Sequence, residues 1–85
     1  MEKMRNDKLN TAERRNLPDS DFGLPDLREF PMPDAAHVRA AEAYFRYASD
    51  ANKPLLAHRI LLKAKKFGVD VESQTILDWA GKYEG

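Results

Sequence analysis

Eighty-five residues with 42% hydrophobic and 33% charged side chains suffice for one small domain with a modest core, and they exclude a two-domain enzyme. Fourteen Lys and Arg balance fourteen Asp and Glu, so no whole-molecule field draws the chain to polyanions or acidic membranes. The absence of cysteine removes a disulfide framework, a thiolate metal site and a cysteine nucleophile.

Residues 1–10 mix Glu2, Lys3, Arg5, Asp7 and Lys8 with few apolar side chains and lack the apolar stretch of a secretory signal. No run approaches the ~20 apolar residues that span a bilayer. The expectation is a soluble chain, not secreted, with no membrane partner. Composition then changes near Asp34, because four of the five prolines, Pro18, Pro25, Pro31 and Pro33, precede it. Residues 1–33 read as an N-terminal arm and residues 34–85 as a helical domain.

Within the arm, Thr11 is positioned to cap a short helical turn near 11–16, which Leu17-Pro18 stops. From Leu17 to Pro33 each proline biases its predecessor toward extended and turn conformations. Asp19 and Asp21 read as turn residues whose carboxylates bond to nearby backbone amides. Phe22, Leu24, Leu27, Phe30 and Met32 punctuate the segment as apolar pegs, which a disordered linker would lack. They dock on the chain's own helices or on another protein; the sequence leaves both open.

Asp34 is an N-cap for a helix over 35–49, with Val38, Ala41, Phe45 and Ala48 on its buried face, Tyr44 and Tyr47 on its flanks, and Arg39, Glu42 and Arg46 in water. Pro54 suits the first position of a second helix over 54–67, ended by Gly68. Its stripe of Leu56, Ala57, Ile60, Leu61, Ala64 and Phe67 makes it the centre of the fold. Ser73 caps a last helix over 73–83 that carries Trp79. The expected fold class is therefore all-α, a small bundle of about three helices with a proline-punctuated, largely non-helical arm packed on it.

Chemistry is sparse. His37 and His58 read as surface or boundary imidazoles, and neither a nucleophile elbow, a phosphate loop nor zinc-ligand spacing surrounds them. No catalytic residue, metal, cofactor or small-molecule substrate is expected. Between Lys53 and Gly68 there are only basic charges; Arg59, Lys63 and Lys66 share one helical face and are the candidate phosphate-binding residues. That face is equally a solvated one whose cations suit the helix dipole. Leu61-Leu62-Lys63-Ala64-Lys65-Lys66-Phe67-Gly68-Val69, followed by another helix, resembles the helix-extended loop-helix DNA modules of the SAP type.

The segment Leu17-Pro18-Asp19-Ser20-Asp21-Phe22-Gly23-Leu24-Pro25, with Arg28-Glu29-Phe30-Pro31-Met32-Pro33-Asp34 and Ala36-His37-Val38-Arg39 before Ala41, resembles a small domain of bacteriophage and prophage proteins. In that family an LPDSDFGLP segment precedes a helix start of the FPMPD-x-x-HVR-x-A kind and a Lys-rich second helix ending near a Gly. The resemblance spans about residues 9–69 and leaves out the helix over 73–83. It implies an accessory or terminal module of phage head, protease-region or related structural proteins, in the virion or host cytoplasm, and no catalytic residues carry over.

The expectation is a non-enzymatic, phage-type structural or interaction module that binds a protein partner or itself through Phe22, Leu24, Leu27, Phe30 and Tyr47. The alternatives are a small nucleic-acid module using Arg59, Lys63 and Lys66, and a phage-encoded regulator or inhibitor of a host protein.

Overall fold

The computed structural model describes residues 11–85; residues 1–10 of the arm and the side chain of Thr11, its expected cap, lie outside them. In chain order come α1 (Thr11–Asn16), β1 (Phe22–Leu24), β2 (Glu29–Pro31), α2 (Ala35–Tyr44), α3 (Lys53–Phe67) and α4 (Gln74–Gly81), with 3-10 turns at Asp19–Asp21 and Phe45–Tyr47. The described residues are mostly helical, with four helices. They are not all-α as expected, because β1 and β2 form a two-stranded antiparallel sheet within the arm.

The prolines account for that difference. They keep their predecessors extended, and the pairing sets Phe22 opposite Pro31 and Leu24 opposite Glu29. Pro31 donates no hydrogen bond, which an edge strand tolerates. Leu24 to Leu27 closes the hairpin as a turn, with the Leu27 amide donating to the Leu24 carbonyl at 3.1 Å. Arg28 and Phe30 take left-handed backbones with φ of 50° and 59°, a conformation that costs about 1–2 kcal/mol for a residue with a Cβ. Arg28 is held there by its side chain, which donates to the carbonyls of Arg14 at 2.8 Å and Leu17 at 3.1 Å and meets Asp19 at 2.6 Å. Its guanidinium thus satisfies carbonyls at the end of α1 and joins that helix to the hairpin.

Asp34 caps α2 by accepting from the His37 amide at 2.9 Å. The helix tightens into a 3-10 turn after Tyr44, short of the expected end at residue 49. Pro54 lies in the first turn of α3, and the left-handed Gly68 ends it, with the amides of Gly68 and Val69 both donating to the Ala64 carbonyl. Ser73 caps α4 by accepting from the Ile76 amide at 3.2 Å.

α3 packs against α2, α4 and β1. Met32, Val38, Leu56, Ala57 and Ile60 are wholly buried, and Leu24, Ala41, Phe45, Ala64 and Ile76 complete the same cluster. The arm therefore supplies core residues from both sides of its hairpin. Phe22 is wholly buried outside that cluster, with the guanidinium of Arg28 4.3 Å from its ring centroid and that of Arg14 at 5.8 Å.

Gly23 is the point of closest approach between hairpin and helix. A Cβ there would overlap Leu56 Cδ1 and stand 3.1 Å from Phe30 Cβ and 3.2 Å from the Met32 methyl. Leu56 is wholly buried, so Gly23→Ala is expected to destabilise the chain by about 1–3 kcal/mol. The urea midpoint followed by circular dichroism measures this, and an unchanged midpoint would refute the close packing.

Candidate functional site

The arm residues expected to meet a partner divide by position. Phe22 and Leu24 are buried in the chain's own interior. They are corrected to packing residues: burying a large apolar side chain stabilises by about 1.5–3 kcal/mol, and Phe22 keeps no exposed surface and Leu24 only 4%. Phe30 is half-buried against the core cluster. Leu27, at the hairpin turn, is 56% exposed, and Tyr47, just after α2, is 68% exposed.

The basic face of α3 is also largely occupied. Arg59 donates from Nε to the Phe22 carbonyl at 2.7 Å and from a terminal nitrogen to the Ser20 carbonyl at 2.8 Å. Lys63 meets the Asp21 carboxylate at 2.7 Å, with both side chains largely shielded from water. These contacts correct the expected phosphate stripe, since Arg59 and Lys63 are committed to the arm and Lys66 alone of the three is exposed, beside the Phe67 ring. They also correct the reading of Asp19 and Asp21, whose carboxylates bond to the cations Arg28 and Lys63.

An open cleft of about 630 Å³ lies between the hairpin and α2. Leu24 and Phe30 form one wall, and His37, Ala41, Tyr44 and Tyr47 form the other. His37, Ala41 and Tyr44 follow each other at helical spacing on α2, so that side is a single stripe, with Ala48 of the following turn beside it. Tyr44 is 60% exposed, and its ring centroid lies 6.1 Å from that of Tyr47. Arg46 lies over the Tyr47 ring and donates to its hydroxyl at 3.0 Å.

His37, expected at the surface or boundary, is only 6% exposed. Its Nδ1 lies 2.7 Å from the Asp34 carboxylate, while Nε2 has no hydrogen-bond partner among the described residues. Burial pushes the Asp34 carboxyl up, but hydrogen bonds from the His37 ring and from the amides of His37 and Ala36, with the electrostatic attraction of that same ring, together outweigh burial and hold it below the usual range. The sequence contained a signal for this pair in the i, i+3 spacing of Asp34 and His37. The cleft wall was not legible, because it needs the hairpin that faces α2.

On the other side of α2, Glu42 is half-buried where it was expected in water, and lines a polar hollow with Arg39, Gly68, Val69 and Asp70. Burial pushes its carboxyl up; the Arg39 charge opposes this and the Glu72 charge adds to it. Among the described residues no group of three or more His, Cys, Asp or Glu is placed to hold a metal ion, and no helix is long and apolar enough to cross a membrane.

Residues 1–74 match a family of unknown function, DUF6582. The match ends where α4 begins, although Ile76 of that helix closes the core. Neither a curated protein nor a solved structure matches the chain.

Asp34 gives the site an acid limit. Its folded value lies below the unfolded one, so its contribution to stability is present above about pH 4 and is lost as pH falls through the folded value. Between pH 5 and 2 the wild type is expected to lose more stability than Asp34→Asn, which keeps an oxygen to cap α2 and does not titrate. Urea midpoints across that range test this, and parallel curves for the two proteins would contradict it.

Proposed function

The chain belongs to the DUF6582 family, whose function is unknown, and from the geometry above we propose that it is a non-enzymatic protein-interaction module whose contact surface is the tyrosine-lined cleft. The observation that carries this reading is the pair Tyr44 and Tyr47, both more than half exposed on the rim of an open cleft with Arg46 beside them. Tyr and Arg are the side chains enriched at protein interfaces, where a ring is buried and a polar tip keeps its hydrogen bonds. Leu27 and Phe30 extend the apolar surface on the hairpin side. The contact residues are therefore Leu27, Phe30, Tyr44 and Tyr47.

Two further observations support a binding role without turnover. The Asp34–His37 pair orients an imidazole, but among the described residues no hydroxyl or other polar group meets Nε2, so none of them stands there as a nucleophile for the pair to activate. Arg59 and Lys63 are engaged with the arm, which weakens the nucleic-acid alternative by removing two of its three expected phosphate contacts. The likeness of the proline-bounded segments to phage and prophage segments supports a phage structural protein as the partner.

Tyr47→p-benzoylphenylalanine, irradiated in cells that make the chain naturally, is expected to give one discrete protein adduct. Tyr44→Ala in the same chain lowers its yield about tenfold, as truncation of an interface tyrosine does. The same photoreactive group at Lys65 gives none. A second copy of this chain as the adduct is identified by its mass. No adduct at position 47, or nucleic acid captured at position 65, would overturn the reading.

A further inference from the structure

The polar hollow on the far side of α2 from the cleft joins two elements that differ in how firmly they are held. One wall is α2, through Arg39 and Glu42; the other is the segment linking α3 to α4, through Gly68, Val69 and Asp70, and the space measures about 450 Å³. α2 is fixed by its Asp34 cap and by Val38 and Ala41 in the core. The linking segment has fewer ties. The Val69 amide donates to the Ala64 carbonyl at 2.8 Å, but from Asp70 to Glu72 no backbone hydrogen bond is made among the described residues. Val69 and Val71 rest half-buried against the core, while Asp70 and Glu72 are exposed. Segments with few buried contacts and few backbone bonds are the ones that open locally.

Charge acts across this hollow. Glu42 gives up water to partial burial, Arg39 of its own helix attracts it, and Glu72 of the linking segment repels it. Asp70 adds a second carboxylate from that segment, and α3 contributes no charged group to the lining. Burial and the like charge together outweigh the guanidinium, so the neutral carboxyl suits the closed hollow better than the ionised one does. If the linking segment lifts from α2, Glu42 regains water and leaves Glu72 behind. The closed form therefore binds the proton more tightly than the open form, and a proton bound to Glu42 favours closure. Ser73, at the end of the segment, caps α4, whose Ile76 closes the core. Opening of the segment thus loosens the seat of α4.

We infer that Glu42 is an acid-set latch: carrying a proton it lets the linking segment seat against α2, and ionised it drives that segment, with the Ser73 cap of α4, toward local opening. The latch lies away from the cleft and stands apart from the interaction-module reading. Its contribution to stability is fully present below the ordinary glutamate value of about 4.5 and is lost as pH rises through the higher folded value. That sign is the reverse of the one at Asp34.

Two measurements on the full chain by nuclear magnetic resonance test the latch, and they must agree. The first is the titration midpoint of Glu42, read from its carboxyl carbon. The second is hydrogen exchange of the Val69 amide between about pH 4 and 7, corrected for the intrinsic rate, with the Ile60 amide of α3 marking the global opening. Val69 is expected to exchange faster than Ile60. Its opening constant rises with pH, by about tenfold in all for each unit by which the Glu42 midpoint exceeds the ordinary value. In Glu42→Gln, which keeps the shape and does not titrate, the rise disappears. Glu72→Gln, at an exposed position, lowers the Glu42 midpoint and shrinks the rise, and Arg39→Gln does the opposite; these two variants carry the test should Glu42→Gln not fold. A Glu42 midpoint at or below the ordinary value overturns the inference. So does Val69 exchange that only follows Ile60, or that rises with pH equally in the wild type and Glu42→Gln.

Discussion

The fold depends on how the cations of α3 are spent. Arg59 and Lys63 reach 37 and 42 residues back along the chain to the Phe22 carbonyl and the Asp21 carboxylate. Charge-assisted bonds of this kind are shorter and stronger than neutral ones. Here they fix the edge of a short hairpin that has little else to stabilise it, since an isolated two-stranded sheet is marginal in water. Once the edge is fixed, Leu24 and Met32 enter the core, and Gly23 permits the backbone to approach Leu56. Arg28 performs the corresponding task at the other end of the hairpin, joining it to α1 and covering the Phe22 ring.

The clamp also makes the cleft. One wall belongs to the arm, through Leu24 and Phe30, and the other to α2, through His37, Ala41 and Tyr44. Neither wall encloses anything alone. Phe30 holds a left-handed backbone that is unusual for an aromatic residue, and such a conformation persists where the surroundings over-determine it. The same contacts that remove Arg59 and Lys63 from the solvent face thus shape the surface on which Tyr44 and Tyr47 stand. Basic charge that reads in sequence as a phosphate stripe acts in the folded chain as internal fastening.

What the sequence reveals depends on whether the cause is local. Asp34, Ser73, Pro54 and Gly68 act within one helical turn, so the helix starts and stops could be read from them, while the tightening after Tyr44 could not. The apolar stripe of α3 was visible for the same reason. The hairpin was not, because three-residue strands are too short to show alternation, and their pairing is fixed by contacts with α3 more than thirty residues away. Tyr47, placed on the flank of the helix, is exposed as helical spacing suggests, whereas the sequence left open whether Leu27 docks on the chain's own helices, and it is exposed. Phe22 was not recognisable as buried, because its cover is the guanidinium groups of Arg14 and Arg28, residues that sequence alone assigns to water.

Native-state hydrogen exchange tests the clamp most directly. The Met32 amide, bonded to the Asp21 carbonyl at 2.7 Å, reports on the hairpin, and the Ile60 amide reports on α3. With the hairpin fastened, both exchange through the same global opening, and Lys63→Met lowers protection at Met32 well below that at Ile60. Wild-type exchange at Met32 that is orders of magnitude faster than at Ile60, and unaffected by Lys63→Met, would contradict the account.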